Sequence, residues 1–199
     1  MSNYFLFSAK NTRELASAFA PEGTKLAHEL IPELYNANAL SFELELFKLS
    51  VGKKGLIKSN DLSSLKEKWL DYQPNSLAWP MFSEKLKTTI TKNLTGKEGI
   101  NWITVKINGN NEQRYYYIPR FEKMLDVLDT QKTMYVKGTD RIIMPHFSLM
   151  KVIAYSIFHQ PCAHSLWKIT SELYINEALK KAIQKEKLTG VDFEKTTVS

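Results

Sequence analysis

The sequence predicts an α+β fold, a largely antiparallel sheet with helices packed on it. Three observations lead there. Residues 83–96 and 176–190 repeat one helix–glycine–strand module, with eight identical positions once the extra Lys187 is set aside: Glu84/Glu177, Leu86/Leu179, Lys87/Lys180, Ile90/Ile183, Lys92/Lys185, Leu94/Leu188, Thr95/Thr189 and Gly96/Gly190. Residues 100–107 and 113–118 read as two strands around an Asn108-Gly109-Asn110-Asn111 turn, whose residue types tolerate positive φ. Strands and helices otherwise mix without the alternation of parallel βαβ proteins. With 43% hydrophobic and 24% charged residues the chain reads as one globular domain, 1–199, with 1–74 and 75–199 as the alternative subdivision.

Each element follows from local pattern. Tyr4-Phe5-Leu6-Phe7 is a first strand. Residues 12–20 read as a helix stopped by Pro21 and Gly23. Phe42, Leu44 and Leu46 alternate with Glu43, Glu45 and Phe47, the period-two signature of a half-buried strand. The pattern shifts at Leu49 and Val51, which predicts a bulge or burial on both faces. Gly52 to Gly55 then turns the chain toward a returning strand at Leu56-Ile57. Asp61 caps a short helix over 61–70, and Pro74 and Pro80 bracket a loop carrying Trp79.

In the repeats, Ser83 and Asn176 suit helix N-caps, because a short side-chain oxygen accepts from the free N–H groups of the first turn. Glu84 and Glu177 follow at the positive end of the helix dipole. Phe82, Leu86, Ile90 and Ile175, Leu179, Ile183 make i, i+4, i+8 apolar stripes for a core. Lysines fill the other faces, and Gly96 and Gly190 suit a left-handed helix stop. After the hairpin Pro119 ends the strand. Residues 121–129 read as a short amphipathic helix, Tyr135-Val136, 148–157 and 165–169 as strands, and 194–199 as a frayed tail.

The net charge of +6 and pI near 9.2 admit an anionic partner. The charge is uneven. Residues 1–51 hold four basic residues against six acids, whereas 52–97 hold nine lysines against four acids and no arginine. Phosphate readers favour arginine for bidentate contacts, and spaced helix lysines read first as a solvated face. No run of about 18 apolar residues predicts a membrane span. The first ten residues lack the basic start and apolar length of a signal peptide. Cys162 is the single cysteine, so no internal disulfide forms and a reducing cytoplasm is the expected compartment.

Few constellations carry chemistry. His159, Cys162 and His164 form the one cluster of metal-ligand types, but a structural zinc site draws four ligands, mostly from paired motifs. No metal is expected. A catalytic thiol needs a placed base and an electropositive pocket, which Cys162 does not advertise, so no catalytic residue and no cofactor are expected. Glu43 and Glu45 share one strand face and read as its solvent side rather than an acid–base pair. Tyr115 and Tyr117 share a face behind Arg114, with Tyr116 opposite. Aromatics beside basic residues stack bases in RNA-binding sheets, but the glycine–aromatic motif of such sheets is missing, and cross-strand pairing accounts for them. Phosphate-loop, dinucleotide, nucleophile-elbow and zincin motifs are absent from the sequence.

One resemblance rests on particular residues. Pro80-Met81-Phe82-Ser83-Glu84-Lys85-Leu86, the hairpin with Tyr115-Tyr116-Tyr117, and Leu125-Asp126-Val127-Leu128-Asp129 resemble a bacterial immunity-protein family of polymorphic toxin systems, the Imm-eleven type. So do Leu166-Trp167-Lys168-Ile169, the stretch from Tyr174 to Lys180, and Leu188-Thr189-Gly190-Val191-Asp192-Phe193. The Imm-forty-three type is nearly as similar. The resemblance spans residues 75–195 and leaves 134–160 unmatched. It implies a protein made alongside a toxin, which it neutralises by binding, with no catalytic residues and no cofactor. Tight binding needs an aromatic or apolar centre with a polar rim, and the expected contact residues are Glu43, Glu45, Trp79, Tyr115 and Tyr117. At +6 the chain does not match an inhibitor of basic nucleases, unless the acidic stretch from Glu29 to Glu45 makes the contact. Two other classes compete: a basic nucleic-acid-binding module with steeply salt-dependent affinity, and a small enzyme built on Cys162, His159 and His164.

Overall fold

The repeat helices start and stop on their own side chains. In the computed structural model, which describes residues 3–12, 14–52, 55–162 and 165–198, Ser83 Oγ accepts from the Leu86 N–H at 3.2 Å and Asn176 Oδ1 from the Leu179 N–H at 2.9 Å. Beyond each helix the glycine takes the left-handed conformation, φ +85° at Gly96 and +72° at Gly190. Leu86, Ile90, Leu179 and Ile183 are fully buried.

The elements run β1 (Tyr4–Ala9), β2 (Glu14–Phe19), α1 (Ala27–Leu30), β3 (Leu44–Gly52), β4 (Gly55–Ser59), β5 (Phe82–Ser83), α2 (Glu84–Asn93), β6 (Ile100–Gly109), β7 (Glu112–Phe121), β8 (Met134–Tyr135), β9 (Ile142–Met144), α3 (Leu149–Val152), β10 (Ile157–His159), β11 (Leu173–Asn176), α4 (Glu177–Lys185) and β12 (Val191–Thr196). They form a larger sheet in the order β2-β3-β6-β7-β5 with β4 added to β3, a smaller sheet β10-β11-β1-β12, and the ribbon β8-β9. Among the described strands the pairing is antiparallel except between β3 and β6.

Each repeat is a split strand–helix–strand unit. α2 joins β5 to β6 with β7 between them, and α4 joins β11 to β12 with β1 between them. The likeness extends to side chains. Ser83 pairs with Tyr116 and Asn176 with Tyr4, and both tyrosines are buried. One residue on, the shared lysine covers the central strand's next ring: Lys87 Nζ lies 3.7 Å from the centroid of Tyr117, and Lys180 Nζ 3.6 Å from that of Phe5. The first unit takes its central strand from the adjoining hairpin, the second from the beginning of the described chain.

The larger sheet separates two cores. Along β6 and β7, Ile103, Val105, Ile107, Tyr116 and Ile118 face one core, shared with Leu30, Ile31, Leu34, Leu44, Leu46 and Trp79. Phe82, Trp102 and Phe121 face the other, where the stripes of α2 and α4 meet β1, β10 and β11. Arg120, nearly buried, donates to the carbonyls of Leu34 and Ala37 at 2.7 and 2.8 Å and so holds the segment after α1 against the sheet.

Several local readings are overturned by long-range pairing. Residues 14–19 are not helical. They pair with β3 from Glu14↔Ser50 to Phe19↔Glu45, because fully buried Ala16 and Ala18 fit the sheet against the core. No bulge separates Lys48 from Gly52; β3 simply outruns the core, and Val51 is exposed. Asp61 accepts from the Ser63 N–H at 2.9 Å, yet no helix follows, since the chain spreads over the sheet to bury Leu62. β7 continues through Pro119 to Phe121. Beyond Tyr116 and Tyr117 no β5 flanks it, so the missing N–H costs no ladder bond.

Residues 121–129 are extended rather than helical: the Leu125 N–H goes to His159 Nε2, and the Val127 carbonyl to the Ser148 N–H. Residues 148–157 split into α3 and β10, and 166–168 form a 3₁₀ turn. Residues 194–196 belong to β12 rather than to a frayed tail, and Val198 bridges Phe147.

Leu179→Ala should cost on the order of 2–5 kcal/mol, since it empties a fully buried site. The two helix-stop glycines should differ. Gly96→Ala meets nothing within 4 Å and should cost about 1–2 kcal/mol for the left-handed backbone alone. Gly190→Ala should cost more, because its Cβ would lie 2.5 Å from the Tyr72 carbonyl oxygen. Urea unfolding of the three variants measures this.

Candidate functional site

The alternation that buries Leu44 and Leu46 sends Glu43, Glu45 and Phe47 to the opposite face of the larger sheet. Register extends that face sideways. Phe19 lies opposite Glu45 on β2, Glu45 beside Asn108 on β6, Lys106 opposite Tyr115 and Thr104 opposite Tyr117 on β7. At one end α2 covers the face over Phe82 and Phe121. At the other end the face is open, with Glu45 exposed and Tyr115 52% exposed.

The open face is organised by charge–aromatic and charge–charge contacts. Glu43 accepts from Lys106 Nζ and Asn108 Nδ2, both at 2.7 Å. These bonds hold its carboxyl below the usual range and raise the Lys106 ammonium above its own. Both groups are partly exposed, so the pair fixes orientation more than it adds stability. Lys58 Nζ lies over the rings of Phe47 and Phe19 at 3.7 and 4.3 Å. Tyr117 hydrogen-bonds Glu84, which pushes its hydroxyl up to about 12 and lowers Glu84. Glu45 has no ion-pair partner among the described residues.

On the opposite side of β7, at the sheet edge, Arg114 stacks over Trp69 at 4.9 Å, and Trp69 in turn stacks on Tyr116. The Trp69 indole N–H is buried without an acceptor among the described residues. A cleft of about 460 Å³ opens here, lined by Trp69, Asp71, Glu84, Lys85 and Tyr115 to Tyr117.

Four of the five expected contact residues, Glu43, Glu45, Tyr115 and Tyr117, therefore meet on one surface. Trp79 does not. It is 4% exposed in the core shared with Leu44, Leu46 and Ile103, because Asn75 folds the loop inward: its Oδ1 accepts from the Leu77 and Trp79 N–H groups and its Nδ2 donates to the Trp79 carbonyl at 2.6 Å. Phe47 was legible on this face from alternation. Phe19 was hidden by the helical reading of its segment, and Lys58 reaches the surface only through the pairing of β4 with β3.

The Cys/His region has the features of packing. Burial, then the Glu172 carboxylate, pushes the Cys162 thiol up, away from the reactive thiolate. His159 is fully buried between Phe121 and Trp167; its Nε2 accepts from the Leu125 N–H at 3.2 Å, and its Nδ1–H donates to the Gln160 carbonyl at 3.1 Å. His164 lies outside the described residues. Among the described residues no three His, Cys, Asp or Glu side chains are grouped to hold a metal, and no helix is long and apolar enough to cross a membrane.

The profile of an immunity protein family, Imm11, matches residues 58–198. The chain belongs to this family. The matched stretch holds both repeat helices, β7 with Tyr115 and Tyr117, and the His159 region. β1 to β3, with Glu43 and Glu45, precede it, so the open face joins strands from inside and outside the family match. No curated protein matches the chain. Membership of Imm11 gives the protein an immunity role.

His159 supplies a pH test of this packing. Burial lowers its pKa from the ordinary value near 6.5, so the unfolded chain binds the extra proton first. The stability from neutral His159 should be fully present above pH of about 6.5 and be lost as pH falls toward its lowered folded pKa. Urea midpoints between neutral and mildly acid pH should fall for the native chain and fall less steeply for His159→Gln.

Proposed function

We propose that this Imm11 protein neutralises a cognate toxin in the cytoplasm by binding it and occluding its working surface, with the open face of the larger sheet as the contact. Family membership supports the immunity role. The observation that carries the contact is the grouping of exposed Tyr115 and unpaired Glu45 with half-buried Phe19, Phe47 and Tyr117 on one sheet surface. Such a surface needs little ordering on binding, because three of its rings, Phe19, Phe47 and Tyr117, already lie under Lys58 and Lys87. Aromatic anchors inside a polar rim are what tight interfaces use. Capture before damage accumulates calls for nanomolar affinity, about −12 kcal/mol. The mechanism is stoichiometric and uses no cofactor: the raised thiol of Cys162 and the neutral, fully engaged His159 support binding rather than turnover.

The test is co-expression with the toxin encoded beside this protein's gene, followed by affinity measurement on the purified pair. The native chain should protect cells and form a complex. Tyr115→Ala should weaken binding by about 2 kcal/mol or more with little change in stability, as expected of an exposed hot spot. Cys162→Ser should leave protection intact. Death of cells that hold abundant folded protein, together with no complex in vitro, would sink the reading.

A further inference from the structure

α2 and α4 pack side by side, and the lysines of their outer faces are not equivalent in what they do. Lys87 and Lys180 are committed to rings, and Lys181 pairs with Glu177 at 3.0 Å. Lys92 and Lys185, the same position in the two repeats, have no carboxylate or carbonyl partner among the described residues. Lys85 meets only the Glu186 main-chain carbonyl, at 2.9 Å. These three exposed cations line one cleft of about 580 Å³ between the helices, together with Thr88, Asn93 and Glu186. Glu84, the other acid there, is already engaged by Tyr117 and Lys87.

We infer that this cleft receives an acidic segment of the toxin, as an extension of the binding surface proposed above, on which reading it rests. Two observations support it. The first is charge: three lysines face one carboxylate not otherwise held, so the cleft attracts anions and desolvates them little. The second is continuity. Glu84 and Lys85 also line the cleft with Trp69, Tyr115 and Tyr117, so a chain seated between the helices adjoins the aromatic face. The donors match carboxylates better than a phosphate backbone. They are point-charge ammonium groups without arginine forks, and Glu84 and Glu186 on the rim repel a continuous polyanion.

The measurement is the affinity of the adjacent gene's toxin for the native chain, for Lys92→Glu/Lys185→Glu and for Tyr115→Ala, at about 0.05 and 0.3 M salt. Both lysines are exposed but lie in the last turn of their helices, where Glu opposes the helix dipole, so the double variant should melt slightly below the native chain and stay folded. It should bind about tenfold or more weakly at low salt, chiefly through slower association, and with a flatter salt dependence. Unchanged affinity and salt dependence in the double variant, while Tyr115→Ala weakens the complex, would overturn the cleft and leave the toxin reading standing. No complex with the native chain would overturn both. Binding of a DNA duplex of about 20 base pairs that the double variant abolishes would assign the cleft to nucleic acid instead.

Discussion

Asp71 and Glu98 tie each repeat to the other. The Asp71 carboxylate accepts from the Ser83 hydroxyl, the cap of α2, and from the Thr189 N–H at 2.8 Å, in the Leu-Thr-Gly stop after α4. The Tyr72 N–H reaches the Thr189 carbonyl at 3.1 Å in the same place. Glu98, fully buried, does the reciprocal work. It accepts from the Thr95 N–H, in the stop after α2, and from the Ser156 N–H at 2.9 Å, while the Ser156 carbonyl accepts from the N–H of Asn176, the cap of α4. A carboxylate without a cation is costly to bury unless N–H and O–H donors surround it. Here those donors are main-chain N–H groups left free at helix ends and turns, together with the hydroxyls of Ser83, Thr95 and Thr189, so each carboxylate sets the start of one repeat against the stop of the other.

The surface chemistry depends on that tie. With α2 and α4 held side by side, one end of the larger sheet is sealed over Phe82 and Phe121, while the other end keeps Tyr115, Glu45 and Phe47 toward solvent. The same packing commits Lys87 and Lys180 to rings and leaves Lys85, Lys92 and Lys185 over the cleft. A chain with a net charge of +6 therefore does not spread its charge evenly. Aromatic area lies on the open sheet face and the cleft lysines lie beside it.

The polar groups of the interior are used to hold segments together. His159, one of the residues on which the small-enzyme alternative rested, is spent on ring packing and on a main-chain hydrogen bond between distant segments, and burial pushes the half-buried Cys162 thiol up. Arg120 is likewise structural, holding the segment after α1.

Local sequence by itself determined the elements whose signals are self-contained. Caps, apolar stripes and glycine stops defined α2 and α4, because a helix satisfies its own hydrogen bonds. The Asn-Gly turn defined the hairpin over 100–118, though not its run through Pro119 to Phe121, since Asn110 and Asn111 at φ +53° and +58° accept a backbone that most residues resist. Strand alternation put Glu43, Glu45 and Phe47 on one side and Tyr115 with Tyr117 on one side. The Leu-Thr-Gly repeats and their surroundings also carried the family. Tertiary structure alone decided the rest. Residues 14–19 became a strand, 61–70 and 121–129 gave up helix, and Trp79 went inside, because in each case the backbone or side-chain partners lie far away in the chain. Only the fold could bring Glu43, Glu45, Tyr115 and Tyr117 onto one face, since that juxtaposition is set by the register between β3, β6 and β7, which no single strand encodes.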